Sequence, residues 1–453
     1  MCAILPLLES QTKFSLLQAF LDLIPPTLHP SFKQKDGVFT RTRKLPFPKL
    51  LTTILSLVAN GNHHGVDVHL GQLFRDARRS GLWPAAQAPH RSALCKARKH
   101  VPWEVFQDML HEAVHLAYDL WPHDQLFTWH GMSVFAIDGS KYTLPATEEL
   151  RQEFDPTSGL ENPGKGHYPQ CLVSTAYDVF RRLPIARTIV SGNGSEREEL
   201  ARLLPFLPPQ SILLCDRGYP SYEMFHLLVK KFTGYFVFRC PASSTFPAVE
   251  EFVNSGKQDA LIWLAPSNTA VKNATPRQRK RLKAIILRVL LLNSPDGTVS
   301  VLLTNLLNTD TFPRTEIIAL YFDRWEVEEY YKDEKVTLEI ECFHARTSNG
   351  IRQELLAAMI MTVIARTMMT MAHDDFLTDE QECQFKNALL TLASEAALFV
   401  PSDPEQAVLI FHEVLQEMAR VKYYHPKTPR PSQPRINKHP VNKWSKRNRQ
   451  SPP

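Results

Sequence analysis

No Cys-x-x-Cys pair occurs in this chain. Its seven cysteines (Cys2, Cys95, Cys171, Cys215, Cys240, Cys342 and Cys383) are odd in number and scattered, which argues against a disulfide framework and a thiolate zinc site. They read as reduced thiols of a cytosolic protein. The N-terminus lacks the basic start and long apolar run of a signal peptide. The most apolar stretch, residues 355–365, meets Arg366 before it is long enough to span a bilayer, so it is expected to be a buried core helix and no membrane is expected. No internal repeat is evident. Acid is missing from the C-terminal end: Lys422, Lys427, Arg430, Arg435, Lys438, Lys443, Lys446, Arg447 and Arg449 follow one another without an Asp or Glu. Setting those nine aside leaves 43 of the 52 basic residues against 47 acidic ones, so the body is mildly acidic and the end is a basic arm. Such an arm suits nucleic acid or another polyanion; a solubilising disordered end is the competing reading.

With 453 residues, 43% hydrophobic and 22% charged, the chain can bury a large core divided among two to four structural units. Residues 1–130 show helical periodicity, as in 50–58 and 103–114, with basic clusters at Lys33, Lys35, Arg41, Arg43 and Lys44, at Arg75, Arg78 and Arg79, and at Lys96, Arg98 and Lys99. Each cluster alone reads as a solvated helix face; together they suit a helical DNA-binding region. From about 132 the pattern changes to strands at 134–137, 172–177 and 183–190. Helix 196–204, strand 212–215, helix 222–232 and strand 235–238 follow, a mixed α/β sheet. Residues 241–310 interrupt it with β-like runs around a basic loop at 272–283. Pro313 opens a long helix, and 353–371 forms another.

Three remote stretches each carry a carboxylate where a divalent metal could be held. Asp138 and Asp216 follow apolar strands, and strand C-terminal ends line the ligand crevice of open α/β sheets. Asp-Gly after a strand is also a common hairpin signal. The third stretch is the helix 321–335. Tyr321, Arg324, Glu328 and Lys335 lie at offsets that fall, at ~100° per residue, within a ~60° stripe over ~21 Å. A salt-bridged, solvated helix is the competing reading. Three acids sharing Mg²⁺ beside a phosphodiester would make chemical sense of the conjunction, because acids near a polyanion otherwise repel it.

The helix fits Tyr-(2)-Arg-(3)-Glu-(6)-Lys without a gap and resembles the signature of the IS4 family of bacterial insertion-sequence transposases. Ile137-Asp138-Gly139-Ser140-Lys141-Tyr142-Thr143-Leu144-Pro145 resembles that family's first-aspartate segment. Ser195-Glu196-Arg197-Glu198-Glu199-Leu200-Ala201, leading to Leu213-Leu214-Cys215-Asp216-Arg217-Gly218-Tyr219, is similar to the second. The likeness covers roughly residues 90–370. Lys141 and Tyr142 depart from it, standing where smaller residues are more usual. The resemblance implies an α/β fold with an RNase H-like catalytic domain carrying a β-rich insertion, preceded by a helical N-terminal domain. It implies Asp138, Asp216 and Glu328 as catalytic metal ligands for Mg²⁺, with Mn²⁺ as a substitute, and Tyr321, Arg324 and Lys335 as phosphate contacts. Trp325, and less so Trp263, are candidates for stacking on a flipped base; core packing is the other reading of both.

The expected organisation is a helical DNA-binding region at 1–130 and a catalytic domain in two parts, 131–240 and 311–400. The β-rich insertion occupies 241–310, and a C-terminal helix with the basic Pro-rich tail occupies 401–453. The expected partners are terminal inverted-repeat DNA and target DNA, with a homodimer in the synaptic complex, in the bacterial cytoplasm at the nucleoid. The expected activity is cleavage of DNA ends followed by strand transfer. A nuclease that does not join ends, a non-catalytic DNA-binding derivative, and more distantly a two-acid carbohydrate hydrolase are the rivals.

Overall fold

The computed structural model describes residues 19, 22–32, 39, 44–59, 65–79, 81, 83–120, 127–155, 168–273, 275–279, 282–293, 299–378, 380–394 and 404–424. Lys33, Lys35, Arg41 and Arg43, part of the basic loop, and the tail beyond 424 lie outside the described residues.

Eight strands build one mixed sheet. In chain order they are Val134–Thr143 (β1), Gln170–Asp178 (β2), Leu183–Ser191 (β3), Ile212–Cys215 (β4), Tyr235–Pro241 (β5), Asp259–Leu264 (β6), Ile285–Asn293 (β7) and Val299–Thr304 (β8). Their spatial order is β3-β2-β1-β4-β5-β8-β7-β6. β2 folds back antiparallel on β1, and β3 on β2. β4 lies parallel to β1, and β5 parallel to β4. All four residues of β4 are buried, as an unbroken apolar run requires when a parallel strand is covered on both faces. The strands of 241–310 extend this same sheet, since β8 pairs antiparallel with β5 and carries β7 and β6 outward.

The helices are Phe47–Ala59 (α1), Val66–Arg79 (α2), Arg91–Arg98 (α3), Glu104–Leu120 (α4), Glu148–Phe154 (α5), Glu196–Leu203 (α6), Tyr222–Lys231 (α7), Pro247–Asn254 (α8), Asn268–Asn273 (α9), Pro276–Arg279 (α10), Arg314–Phe322 (α11), Glu326–Lys332 (α12), Ser348–Phe376 (α13), Phe385–Ser394 (α14) and Pro404–Arg420 (α15). A small hairpin pairs Gln381–Cys383 (β9) with Lys422–Tyr424 (β10).

α13 is the hub of the helical part, touching α1, α4, α14, α15 and β3. Thr347 caps it by accepting from the Gly350 N–H at 3.3 Å. Arg366 lies within it, as the helix expected over 353–371 requires, and the helix extends beyond those bounds at both ends. That guanidinium pairs with Asp333 at 3.1 Å and lies 4.4 Å from the centre of the Phe385 ring. By length and composition α13 suffices to cross a membrane, but 89% of its most apolar stretch is buried within the protein.

Two expectations change. Arg98 is not on a solvated face: it is buried and pairs with Glu354 at 2.7 Å, donates to Gln353 Oε1 at 3.0 Å, and donates to the Gly350 carbonyl at 3.1 Å. Segment 321–335 is not one regular helix. α11 passes through a 3₁₀ turn at Asp323–Trp325 into α12 and ends in a π turn at Asp333–Thr337. A 3₁₀ turn overwinds the chain and a π turn underwinds it, so the two offset one another along the stripe.

Candidate active site

β1 and β4 run side by side with Ala136 opposite Leu214. Asp138 and Asp216 each stand two residues further on, so the parallel register alone makes them neighbours. Asp138 does not end its strand. β1 continues to Thr143 because β2 stays paired with it, Asp138 opposite Thr175 and Gly139 opposite Ser174. The Asp-Gly step is therefore a strand position, neither a hairpin turn nor a strand end. Asp216 does follow the last residue of β4 and opens a turn closed by the Tyr219 N–H on its carbonyl at 3.2 Å.

The segment from α11 to α12 supplies the third acid. Arg324, only 2% exposed, donates to Glu328 Oε1 at 2.8 Å and lies 3.9 Å from Asp216 Oδ2. The buried Tyr321 hydroxyl donates to Asp216 Oδ1 at 3.2 Å. Just beyond Glu328, Tyr331 donates to the backbone carbonyl of Asp138 at 2.7 Å and reaches that of Val173 at 3.2 Å. Burial pushes the Asp138 carboxyl up to about 7, with Glu328 and Glu196 adding to the rise while Arg324 and the Gly139 N–H oppose it. Asp216 and Glu328 thus share one guanidinium, and Asp138, beside Asp216 by strand register, feels the charges of Arg324 and Glu328.

A buried network holds α12 against the sheet. Arg187 of β3, fully buried, donates to both oxygens of Glu334 at 2.8 Å and to the Tyr330 hydroxyl at 3.0 Å. Tyr142 of β1 donates to the same carboxylate. The Tyr330 hydroxyl donates to Glu334 Oε1 at 2.6 Å, so the cost of removing two charges from water is offset by three donors on one carboxylate. This accounts for the unusual Lys141-Tyr142 pair. Tyr142 serves Glu334, while the Lys141 carbonyl accepts from Lys335 Nζ at 2.8 Å.

Lys335 also donates to Ser140 Oγ at 2.7 Å and sits 4.7 Å from the Tyr142 ring centre. It lies along β1 beyond Asp138, apart from the Arg324 cluster, and burial lowers its pKa. Trp325 is 37% exposed, with the Arg324 guanidinium 5.4 Å from its ring centre. Trp263 is 53% exposed on the last strand, so it is not a core residue. Five strand spacings separate β6 from β1, about 24 Å.

The donor set is all oxygen and anionic, the kind that hard divalent cations take. Among the described residues no group of three His, Cys, Asp or Glu side chains is drawn tightly enough to hold an ion as it stands. Arg324 supplies the positive charge between Asp216 and Glu328 instead. Its Nε and Nη1 are buried without a hydrogen-bond partner among the described residues. The residues fit a divalent ion in kind and charge, and an ion entering would compete with Arg324 for the same oxygens.

Sequence reasoning missed Glu196, Tyr219, Tyr331 and the Arg187–Glu334 pair. For Glu196 a signal existed in the glycines that follow Asp138 and Asp216.

A profile of the family described as "Transposase DDE domain" matches residues 129–364, just over half of the chain. The transposase InsG for insertion sequence element IS4, from Escherichia coli (strain K12), is 26% identical over 280 residues, which is 61% of this chain and 61% of that protein. The chain thus matches about three fifths of the length of this curated relative. Among solved structures, a cryo-EM structure of the piggyBac transposase synaptic complex with hairpin DNA superposes with a TM-score of 0.45 at 12% identity, covering 94% of this chain and 88% of that one. DDE transposases as a group use divalent metal ions. Asp138, Asp216 and Glu328 all lie within the matched span, and the chain belongs to the DDE-domain transposase family, in its IS4 group.

Proposed function

We propose that this protein is the transposase of an insertion sequence. It binds terminal inverted repeats, hydrolyses the phosphodiester at each end, and joins the freed 3′-hydroxyls to target DNA. The single observation that carries this reading is the pairing of Asp216 and Glu328 with Arg324, with Asp138 set beside Asp216 by the parallel register of β1 and β4. The five strands in the order β3-β2-β1-β4-β5 are read as the RNase H-like core, with β6–β8 as its insertion.

Mg²⁺, or Mn²⁺ in its place, would be held by Asp138, Asp216 and Glu328 and supply positive charge at the scissile phosphate. The other roles fall to side chains of the chain itself. Tyr321 orients Asp216 through its hydroxyl. Arg324 keeps Asp216 and Glu328 together and has unused N–H groups for a phosphate oxygen. Tyr331 and the Glu334 network fix α12 against β1, so that Glu328 and Asp138 keep their spacing. Lys335 stands further along β1, placed for a phosphate farther from the cut. Strand transfer exchanges one phosphodiester for another, the 3′-oxygen forming a bond to phosphorus as the target's 3′-oxygen leaves. No energy-rich cofactor is needed.

Exposed Arg75, Arg78, Arg79, Lys96 and Lys99 on α2, α3 and the residue after it suit backbone contacts to the ends, and the tail beyond Lys422 suits non-specific contacts. Binding should then weaken steeply with salt as counterions are released. Two ends act together, which makes a DNA-bound homodimer the working unit.

The test supplies uncut and pre-cleaved end duplex in separate reactions, each with Mg²⁺ and a plasmid target. Insertion that disappears in Asp216→Asn supports the transposase reading. Cutting without insertion would leave a nuclease, and neither reaction would leave a DNA-binding derivative.

A further inference from the structure

Glu196 is the strongest titratable group to which the mechanism above gives no task. It opens α6 and lies between the two aspartate segments. A Cβ built on Gly139 would sit 2.8 Å from Glu196 Oε1, 2.9 Å from its Cγ and 3.0 Å from its Cδ, and one built on Gly218 would sit 3.4 Å from its Oε2. Gly139 follows Asp138 directly and Gly218 comes two residues after Asp216, so both aspartate segments leave room for one and the same carboxylate. Arg197 anchors this placement by donating to the Gly218 carbonyl at 2.9 Å and the Pro220 carbonyl at 3.0 Å. The loop after β4 is thereby tied to the helix that carries Glu196.

A second observation points to a ligand. The Tyr219 hydroxyl has no hydrogen-bond partner among the described residues although its side chain is 1% exposed. It lies within electrostatic reach of both Asp138 and Glu196. A buried hydroxyl beside two acids is rarely left unpaired, and a water or hydrated ion is the usual partner. Three carboxylates sharing a partly buried cleft repel one another, and the cations within reach offset this only in part: the Lys141 charge acts on Glu196, Arg324 lies 3.9 Å from Asp216 but 2.8 Å from Glu328, and Arg197 is taken up by backbone carbonyls. Added positive charge on the Asp138–Asp216 side would make the arrangement favourable.

We propose that Glu196 is a positioning residue, a fourth carboxylate that accepts hydrogen bonds from the water around a divalent cation on the Asp138–Asp216 side. This rests on the reading under Proposed function. Hydrated Mg²⁺ keeps several waters, and outer acids that hold those waters raise affinity without touching the ion.

The experiment titrates the full chain with Mn²⁺ alone, without DNA, by calorimetry. Glu196→Gln keeps the shape and removes the charge, and is expected to weaken Mn²⁺ binding about tenfold. Glu196→Asp should fall between it and the parent. Glu198→Gln, exposed and two residues on, should bind as the parent does. Gly139→Ala should reproduce the loss by displacing the carboxylate and should add little on top of Glu196→Gln. An unchanged metal-free unfolding midpoint in Glu196→Gln assigns the loss to the site; should that variant not fold, Gly139→Ala and Glu196→Asp carry the same test. Parent-like Mn²⁺ affinity in Glu196→Gln and Gly139→Ala overturns the proposal. If the parent itself binds no Mn²⁺, or Asp216→Asn leaves binding intact, it is the underlying three-acid reading that fails instead.

Discussion

The hydroxyl of Tyr331 donates to the main-chain carbonyl of Asp138 at 2.7 Å, joining the helix of one acid to the strand of another. Burial raises the Tyr331 pKa well out of its ordinary range, with the Asp138 charge adding to the rise, so the hydroxyl stays protonated and remains a donor. Tyr331→Phe removes that donor and little else. We expect a stability loss of about 1 kcal/mol, the net worth of one such bond. End cleavage should fall more than stability does, because the spacing between Glu328 and Asp138 loosens. Single-turnover cleavage beside chemical denaturation separates the two effects. Loss of activity in proportion to loss of folded protein would show that the bond only stabilises.

Asp138 predicts a conflict between folding and function. Its folded pKa is raised to about 7, chiefly by burial, from an ordinary value of 3.8. The folded state therefore binds a proton more tightly than the unfolded chain. The associated stability is fully present below about pH 4 and is lost as pH rises through about 7. At pH 8 without metal, the ionised carboxylate costs up to about 4 kcal/mol. Asp138→Asn avoids that cost, so the inactive variant should unfold at a higher temperature than the parent at pH 8 in EDTA. The gap should shrink towards pH 4. Equal melting temperatures at both pH values would mean that Asp138 is not held as described.

Glu354 shows the opposite case. Burial pushes its pKa up, but the Arg98 charge and a hydrogen bond from His344 outweigh this and hold it at about 2. A depressed carboxylate contributes stability above its unfolded pKa, and that contribution is lost only as pH falls through about 2. Arg98→Met leaves a buried, unpaired charge and should cost about 3–5 kcal/mol at neutral pH. Adding Glu354→Gln should recover part of it, measurable by urea unfolding as a double-mutant cycle. Arg98 ties α3 to α13, so this variant also tests whether the N-terminal helices are bound firmly to α13. A loss below 1 kcal/mol would sink that idea.

Much of this fold was legible in the chain because its central strands are covered on both faces. The unbroken apolar run 212–215 appears in the structure with those bounds. Asp138, Asp216 and Glu328 were singled out because the segments around them resemble a known pattern, Glu328 through the Tyr-(2)-Arg-(3)-Glu-(6)-Lys spacing. Arg98 and Glu196 were not: what each does depends on a partner far away in sequence, Glu354 for one and the two glycine-bearing loops for the other. The 3₁₀ and π turns around α12 were hidden for a similar reason. No Pro or Gly marks them, and α12 is held in place by Tyr331 on β1 and Glu334 on Arg187. Asp138 lies inside a strand because β2 pairs past it, which an Asp-Gly step alone cannot reveal.

Arg324 is where geometry and charge type can be separated. Its guanidinium lies 2.8 Å from Glu328, 3.9 Å from Asp216, 5.8 Å from the Tyr321 ring centre and 5.4 Å from that of Trp325. Arg324→Lys preserves the positive charge but offers one compact ammonium in place of a planar fork that reaches several partners. If the fork both aligns the acids and meets a phosphate oxygen, the lysine should bind end DNA almost as tightly as the parent. Its single-turnover cleavage should nevertheless fall about 10²-fold or more, the usual cost of removing a preorganised donor. Filter binding and rapid-quench cleavage on the same duplex measure both quantities. Cleavage within threefold of the parent would show that charge alone suffices, and the role assigned to the fork would be withdrawn. Weakened binding with an unchanged cleavage step would place Arg324 on the DNA outside the reacting phosphate.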